Sequence, residues 1–560
     1  MILQNIILQL PQFDQVCEVQ PGLNALEVLE ECNIDLKTCD RGLPMIALIN
    51  NTPTPLDKPI FESASIEWLG YESSIGRRVY VSTLTLLLFR AAEDLGLPEI
   101  AIEHALSNGY YGVIGNGEAM PSRETLKDLE NRIQELIDEN LPITHQKLPN
   151  KKAREYFKSK GLKGTDELIR EMGSYYIPII ELEGYHDFIL SPTLPRTGMI
   201  WKFGLEPMEK GFILRVPDMK DSSKLYPLTQ QPKQFAALKH HLNLMKMIEI
   251  EDVAPLNVAV RSGKSTHLIS LAEAIHEKRI ANIASNIAQK SKEGVRMVLL
   301  SGPSSSGKTT TSKRISTQLI TNLIWPHAIS LDDYYINRVD TPLDEHGNPD
   351  YESLYALDLK QLQEDVSRLI AGEEVQLPTY NFITGEREYH EYKKMRLEEN
   401  GVLIMEGIHA LNPELLGPIP AKALYKIYVS ALTPLSLDKH NWIRSSDNRL
   451  LRRMVRDIKY RGTSAEETIM RWDEVRRGEE KWIFPYQENA DVMLNSAMLY
   501  EISALKPQAS QALMGVQEIS PAYPTAYRLL QLLNLFTPID INDIPSTSLL
   551  REFLGGSSYE

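Results

Sequence analysis

The pattern of apolar and polar positions along the chain predicts an alternation of strands and helices. Near the start, an alternating strand leads to a turn at residues 20–22, and Asn24 is suited to cap a helix that runs through Cys32. Residues 231–248 and 265–290 carry apolar positions at helical spacing. Helices and strands are therefore expected to be mixed along the chain, as in α/β and α+β proteins.

A short apolar strand over residues 297–300 is followed by a loop and by a helix over 310–320. The loop and the start of this helix contain the order G-x-x-x-x-G-K-T, in which glycines, inward-pointing amides and the positive end of a helix can cradle phosphates. Lys308 is predicted to reach the β and γ phosphates of a nucleotide, and the Thr309 hydroxyl to hold Mg2+. The predicted nucleotide-binding residues are Gly302, Ser304, Ser305, Ser306, Gly307, Lys308, Thr309 and Thr310.

Bulk composition limits the class of protein. A length of 560 residues suggests roughly three or four domains. The apolar fraction of 42% and the charged fraction of 24% are ordinary for a soluble globular protein, and a net charge of −15 argues against broad coating of nucleic acid. Cys17, Cys32 and Cys39 form no C-x-x-C pair, and no apolar run reaches about 18 residues. We therefore expect a reduced, cytoplasmic protein that does not span a membrane.

Two further apolar strands end in carboxylates. Residues 327–331 precede Asp332 and Asp333, and residues 402–405 precede Glu406. Ligands of open parallel sheets bind at the carboxyl ends of the strands, so these acids are expected at one edge. Asp332 can accept the proton of an attacking hydroxyl, and Glu406 fits a Mg2+ or water ligand. The alternative for each acid alone is that it caps the following helix.

Four arginines recur at helical spacing after these strands. Arg449, Arg452, Arg453 and Arg456 follow the order i, i+3, i+4 and i+7, which places them on one helix face. Like charges on one stripe repel unless an anion joins them, and this stripe has no interleaved Glu. We interpret it as a mobile lid that brings guanidinium groups over a transferred phosphoryl group; the alternative is a solvated face.

Seven motifs between residue 296 and about residue 497 resemble those of the uridine kinase/phosphoribulokinase family. They are the P-loop sequence at 302–309, Ser330–Tyr335, Asn348–Leu354, Pro378–Phe382, Met405–Ile408, the arginine helix and Ala490–Asn495. The resemblance implies a P-loop kinase with a parallel sheet and helices on both faces. It also implies ATP, Mg2+ and a small-molecule acceptor, such as a nucleoside of the uridine or cytidine type.

The same resemblance implies roles for individual residues. Asp332 is the implied general base, and Lys308, Arg456 and Arg461 are the implied catalytic and phosphate-binding cations. The implied acceptor-binding residues are Tyr335, Asp350, Tyr380, Phe382, Arg387 and Arg453. Together with the strand-end reasoning, the candidate Mg2+ ligands are Thr309, Glu406 and Asp332.

The departures from the family pattern fall on the acceptor side. Uridine and cytidine kinases have Y-D-F-x-x-H-x-R, whereas this chain has Asn381 for the Asp and Gly385 for the base-contacting His. Thr463 stands where the family's R-G-R lid ends in Arg. Losing a hydrogen-bonding partner can cost roughly 10^4-fold in selectivity. We therefore expect intact phosphoryl transfer, with uridine as the acceptor left open.

The front of the chain resembles domains of threonyl-tRNA synthetases. Residues 2 to about 68 are similar to the TGS domain, with a strand, a Pro-Gly turn, a helix and a closing strand. Residues 70 to about 220 are similar to the alanyl/threonyl-type editing module. The stretches that carry this second resemblance are Ser82–Phe89, Glu103–Gly112, Glu181–His186 and Pro195–Ile200.

The editing-like part lacks the ligand set of its family. The family's H-x-x-x-H pair falls on Val81 and Thr85, and its C-x-G-x-H pair on Leu182 and His186. One imidazole out of four ligand positions does not make a zinc site. A retained binding or docking surface is therefore expected in preference to deacylation.

These interpretations divide the chain and leave a second function open. The predicted parts are a TGS-like domain at 1–68, a degenerate editing-like domain at 69–222, a helical connector at 223–290, a uridine kinase-like domain at 291–515 and a C-terminal helical tail at 516–560. The alternative function is an RNA- or tRNA-associated regulatory protein whose front domains bind the ligand and whose P-loop acts as a switch. A homo-oligomer, and GTP in place of ATP, also stay open.

Overall fold

The structure is a computed structural model that describes residues 5–37, 40–106, 108–188, 190–344, 347–417 and 419–559. Cys39 lies outside the described residues, and Cys17 and Cys32 are free thiols. The strands are β1 Ile6–Leu10, β2 Gln15–Val19, β3 Ile46–Ile49, β4 Thr52–Thr54, β5 Ala64–Leu69, β6 Ile100–Leu106, β7 Gly109–Ile114, β8 Thr144–Pro149, β9 Tyr176–Leu182, β10 Tyr185–Asp187, β11 Gly204–Met208, β12 Gly211–Arg215, β13 Met297–Ser301, β14 Trp325–Ser330, β15 Glu374–Asn381, β16 Glu386–Arg396, β17 Gly401–Glu406, β18 Leu424–Ser430 and β19 Val492–Asn495.

The α-helices vary in length from one turn to more than seven turns. They are α1 Ala25–Glu31, α2 Ser74–Asp94, α3 Arg123–Asp138, α4 Asn150–Ser159, α5 Lys163–Met172, α6 Pro232–Met247, α7 Val253–Arg261, α8 Ser265–Ser291, α9 Lys308–Thr321, α10 Leu359–Ile370, α11 Ser445–Arg461, α12 Ala465–Met470, α13 Trp472–Trp482, α14 Glu501–Met514, α15 Tyr523–Asn534 and α16 Arg551–Leu554. Among the described residues, no helix is long and apolar enough to cross a membrane.

The first sheet has the strand order β2-β1-β5-β3-β4 and is covered by α1. The predicted cap at Asn24 is confirmed: its side chain accepts from the amides of Leu26 and Glu27, and Glu27 completes a capping box. Trp68 of β5 is buried against this helix, and its indole nitrogen donates to the Ala25 carbonyl over 3.0 Å. These contacts join the sheet and the helix into one small α+β unit.

The second unit is built around α2. Residues 79–89 of this helix are buried at every position, which is typical of a helix enclosed by other elements on all sides. The sheet β11-β12-β7-β6 and the sheet β10-β9-β8 contribute to the core around it, together with α3. This arrangement places the positions of the editing-type ligand set inside the unit.

The kinase-like part contains a parallel sheet with the order β14-β17-β13-β18-β19. Alternate residues of the central strand β13 face opposite sides. Val298 and Leu300 pack with α8 and α9, and Met297 and Leu299 pack in the cluster that contains α10. Helices therefore cover both faces of the sheet, and the predicted fold class is confirmed.

Two segments predicted as a connector and a tail contribute to the cores. The C-terminal half of α8 packs on the parallel sheet through Ile280, Ile283 and Ile287. Phe553 and Leu554 of α16 are fully buried in a core that also includes α4, α5, α11, α14 and α15. Both segments are structural parts of the molecule, because their removal would expose apolar faces of neighbouring units.

Candidate active site

The P-loop between β13 and α9 is shaped by close backbone approaches. A Cβ atom on Gly302 would collide with the Val429 carbonyl oxygen of β18, so only glycine fits there. Gly307 has a φ of 85°, in the left-handed region that favours glycine, and directly precedes α9. The hydroxyls of Ser305 and Ser306 are buried and have no hydrogen-bond partner within the described parts of the chain. Polar groups with unused donors beside a helix N-terminus fit an anion such as a phosphate.

The start of α9 and the end of β17 form a cluster of oxygen ligands. Thr309 Oγ1 donates to Glu406 Oε1 over 3.1 Å, and Lys308 Nζ donates to the Pro303 carbonyl over 3.2 Å. Burial raises the pKa of Glu406 to about 7, and the nearby carboxylate of Asp332 also raises it. A hydroxyl and carboxylates are the ligands that Mg2+ prefers, so these residues fit this ion. Among the described residues, no group of three or more His, Cys, Asp or Glu could hold a metal ion.

Asp332 and Asp333 follow β14 but have different surroundings. Asp333 accepts from Lys393 Nζ over 2.8 Å and from the amide of Tyr380 over 3.3 Å, so it anchors the β15–β16 hairpin. The Asp332 side chain is exposed at the edge of the sheet and receives no hydrogen bond from the described residues. The structure thus distinguishes two adjacent acids that the sequence pattern treats alike.

Asp332 faces a group of cations. Surrounding protein removes part of its hydration and raises its pKa, whereas Lys308, Arg461 and Arg456 act in the opposite direction. Ser330 of β14 and Leu300 of β13 are both paired in register with Glu406, which brings the P-loop and both acids to one edge of the sheet. The predicted meeting of the strand ends at one edge is confirmed.

The arginine helix α11 does not act as one lid. Arg449 and Arg452 are buried and ion-paired, the first to Glu479 over 2.8 Å and the second to Glu501 over 2.6 Å. They also donate to P-loop carbonyls, Arg449 to Ser304 and Arg452 to Ser305. The prediction of a four-arginine lid is wrong for these two residues, because buried carboxylates outside the helix neutralise them. Their contacts with the loop carbonyls brace the P-loop instead.

The other arginines of α11 gather around Asp457. Arg453 lies 3.3 Å from its carboxylate, Arg456 2.8 Å and Arg461 3.6 Å. Arg453 Nη1 also donates to the Ser304 hydroxyl over 2.8 Å, and the Arg461 side chain is 57% exposed. These three cations lie on the side of the P-loop and of Asp332, where a phosphate could replace Asp457 as their partner.

Residues 297–503 match the model of the phosphoribulokinase/uridine kinase family. A uridine kinase of Halobacterium salinarum is 26% identical over 197 residues, which cover 35% of this chain and 77% of that protein. A uridine kinase of Staphylococcus haemolyticus is 30% identical over 199 residues, which cover 35% of this chain and 84% of that protein. The chain belongs to the phosphoribulokinase/uridine kinase family. The predicted resemblance is confirmed, and the parallel-sheet part is a P-loop kinase.

The N-terminal part of the chain has relatives of another kind. A threonine–tRNA ligase of Azobacteroides pseudotrichonymphae is 25% identical over 209 residues, which cover 37% of this chain and 32% of the ligase. The chain therefore spans about a third of the length of that relative. This match lies over the N-terminal part and confirms the predicted resemblance to threonyl-tRNA synthetases.

Aromatic side chains line the acceptor side of the kinase. The ring of Tyr335 lies 5.6 Å from that of Tyr380, and the ring of Phe382 lies 5.0 Å from Tyr380 in an edge-to-face arrangement. Besides Arg453, two charged residues are predicted there, and the first, Asp350, lies 3.9 Å from Lys481. The other, Arg387, pairs with Asp358 over 2.9 Å. The aromatic residues are brought together, whereas the role of Arg387 in substrate binding stays a prediction.

The two departures from the family motif form a tight turn at the tip of the hairpin. Gly385 has a φ of 76°, and a Cβ atom on it would lie 2.8 Å from Arg338 Cβ. Its amide donates to the Asn381 carbonyl, and the Asn381 side chain accepts from the amide of Ile383. A histidine at position 385 would be strained in this backbone, so a base-contacting imidazole is not available from this position.

Glu352 is a site residue that the sequence reasoning missed. Burial and the nearby Glu479 carboxylate raise its pKa to about 7, although Arg453 and Lys308 act in the opposite direction. Its Cβ atom packs against Gly478 of α13. Glu352 could have been considered, since it lies two residues after Asp350 in a family motif. The motif does not indicate, however, that the Glu352 side chain lies among the charged residues around the P-loop.

In the editing-like unit, a loop of the kinase part lies next to the degenerate ligand positions. Phe89, one helical turn after Thr85, stacks on His440 with ring centroids 3.8 Å apart. His440 Nδ1 lies 2.9 Å from the Asp187 carboxylate, which is fully buried. The backbone of residue 439 accepts from the amide of Ile102 over 2.9 Å. The loop at 436–443, here the docking loop, thus forms an internal interface with this unit.

Proposed function

We propose that this P-loop kinase transfers the γ-phosphoryl group of ATP to a hydroxyl of a nucleoside or of a related small sugar-containing metabolite. The observation that carries the proposal is the free carboxylate of Asp332 at the sheet edge, which faces Lys308, Arg456 and Arg461. A P-loop switch protein positions water with a neutral residue and does not need such a base.

Each group has a chemical role in this proposal. Asp332 accepts the proton of the acceptor hydroxyl as its oxygen attacks the phosphoryl group. Lys308, Arg456 and Arg461 stabilise the charge on the transferred phosphoryl group. Thr309 and Glu406 hold Mg2+, which neutralises phosphate charge when it is bound. The contact between Thr309 and Glu406 supports this pairing, because both oxygens already point to one place.

The acceptor is proposed as a class. The aromatic cluster of Tyr335, Tyr380 and Phe382 offers ring faces and edges to a planar base. The turn at Gly385 offers no imidazole for base recognition. We therefore propose an acceptor with a flat ring and a sugar-type hydroxyl, and we do not restrict it to uridine.

An acceptor screen tests this proposal. The full chain, ATP and Mg2+ would be incubated with a panel of nucleosides, nucleotides and sugar derivatives, and phosphorylated products would be measured by mass spectrometry. Asp332→Asn is the matched control, because it keeps the shape of the side chain but removes the base. We expect one acceptor class to give steady turnover that falls by roughly 10^2-fold or more in the variant.

The alternative function gives a different result in the same screen. A tRNA-associated regulatory protein would bind tRNA tightly and would phosphorylate no small acceptor. Product formation that is equal in the native chain and in Asp332→Asn would contradict the assigned base. We also propose that the reaction takes place in the cytoplasm, as the cysteine pattern predicts.

A further inference from the structure

The last described residues of the chain contact the nucleotide-binding loop. Residues 549–559, here the C-terminal wedge, lie between the start of α9 and the helix α11. Glu552 Oε2 accepts a hydrogen bond from the backbone amide of Thr310 over 3.2 Å. Thr310 is the third residue of α9, and amides at this position have no partner within their own helix. A carboxylate of the protein thus binds one of the amides predicted to bind phosphate.

Several contacts hold the backbone of the C-terminal wedge at the P-loop. A Cβ atom on Gly307 would lie 2.8 Å from the Leu549 side chain. The Phe553 ring is buried and lies 4.9 Å from the guanidinium of Arg452, which braces the loop. Lys459 Nζ of α11 donates to the Leu554 carbonyl over 2.9 Å. The side chain of Glu552, in contrast, is only half-buried and can turn toward solvent without moving this backbone.

A carboxylate and a phosphate are rivals for the same site. Both are anions that accept from amides at a helix N-terminus, where the helix dipole favours negative charge. Glu552 also lies near enough to Glu406 to raise the pKa of that carboxyl group. A nucleotide phosphate that binds the Thr310 amide would therefore have to displace the Glu552 carboxylate.

We propose that Glu552 is an internal competitor of the nucleotide. In the nucleotide-free chain its carboxylate occupies the anion position at Thr310, and it must turn away when a phosphate binds. The C-terminal wedge then lowers the affinity of the kinase for nucleotide phosphates and makes it dependent on the position of this segment. The inference rests on the proposed function for the identity of the phosphate ligand.

Nucleotide binding by charge-matched variants tests this inference. Glu552→Gln keeps an oxygen that can accept from Thr310 but removes the charge. Asp543→Asn removes the same charge from an exposed position that precedes the C-terminal wedge in the chain. Binding of Mg-ADP and of adenosine to the full-length proteins would be measured by calorimetry. We expect Glu552→Gln to bind Mg-ADP about tenfold more tightly, as befits a half-exposed charge a few ångströms from a phosphate.

The controls separate competition from general effects. Adenosine has no phosphate, so its affinity should be unchanged in Glu552→Gln, and Asp543→Asn should bind Mg-ADP within about twofold of the native chain. Equal affinity of the native chain and Glu552→Gln for Mg-ADP would overturn the inference. Equal affinity would show that Glu552 only caps α9, and the proposed kinase function would be unaffected.

Two further outcomes keep the inference apart from the proposed function. If neither protein binds Mg-ADP, the nucleotide site itself fails and the inference fails with it. If Glu552→Gln tightens Mg-ADP but no acceptor is phosphorylated in the screen, the inference stands without the proposed reaction.

Discussion

Asp447→Asn tests an ionic junction between three parts of the chain. Asp447 lies in the first turn of α11 and is buried. Arg78 of α2 donates to both of its carboxylate oxygens over 3.0 and 3.2 Å, and Arg528 of α15 donates to both over 2.7 and 3.0 Å. Burial alone would raise the pKa of Asp447, but Arg528 and Arg78 hold it well below its usual range. The editing-like unit, the arginine helix and the C-terminal helices therefore share one carboxylate.

The expected cost follows from the burial of the partners. Removing one member of a buried ionic group costs about 3–5 kcal/mol, because the remaining charges stay uncompensated. The side chains of Arg78 and Arg528 are 16% and 25% exposed, so water can recover part of their hydration. We therefore expect Asp447→Asn to lower the free energy of unfolding by about 3 kcal/mol. Either arginine replaced by alanine leaves the other bidentate pair in place and should cost less, about 1.5–3 kcal/mol.

Urea-induced unfolding, followed by tryptophan fluorescence, measures this effect. Asp473→Asn is the matched control, since Asp473 also lies in the first turn of a helix, α13, but is exposed. It should change stability by less than about 0.5 kcal/mol. A loss of less than about 1 kcal/mol in Asp447→Asn would refute the reasoning, since a carboxylate shared by two arginines cannot then be holding these elements together.

Three other predictions concern chemistry. Lys308→Ala should weaken nucleotide binding, whereas Asp332→Asn should leave it nearly unchanged and lower kcat by roughly 10^2-fold; equal loss of binding in calorimetry would show that Asp332 is chiefly a metal ligand. Burial raises the pKa of Glu406 to about 7, so kcat/KM at limiting Mg2+ should fall about tenfold per pH unit below pH 7 and level off above it. A flat profile down to pH 5 would contradict this prediction. The purified protein should hold no stoichiometric zinc and should not deacylate mischarged tRNA; metal analysis or serine release would show otherwise.

The sequence was sufficient for features that depend on neighbours along the chain. The P-loop, the strands that lead to Asp332 and Glu406 and the cap at Asn24 are local patterns, and the structure has each of them. The meeting of two strand ends could also be predicted, because parallel strands share an edge. Local order and one general rule of sheet topology therefore gave the fold class and the central part of the site.

Features that depend on distant partners were not predictable in this way. Arg449 and Arg452 have the spacing of a phosphate-binding stripe, but Glu479 and Glu501, which lie 30 and 49 residues farther along the chain, neutralise them. Nothing in the local sequence indicates which buried carboxylate meets which arginine. The docking loop and the contact of Glu552 with the P-loop have the same origin, since they join residues that are far apart in the chain.

The packing of α8 has a consequence for dissecting the gene. Its residues Ile280, Ile283 and Ile287 form part of the core beneath the parallel sheet, although they precede β13 in the chain. A fragment that starts at residue 291 would lack this apolar layer and would expose the sheet face to water. A self-standing catalytic fragment must therefore start at or before Ser265, where α8 begins. An expression trial that cuts the chain inside α8 would remove part of this core. Its failure would not show that the catalytic part is unable to fold on its own.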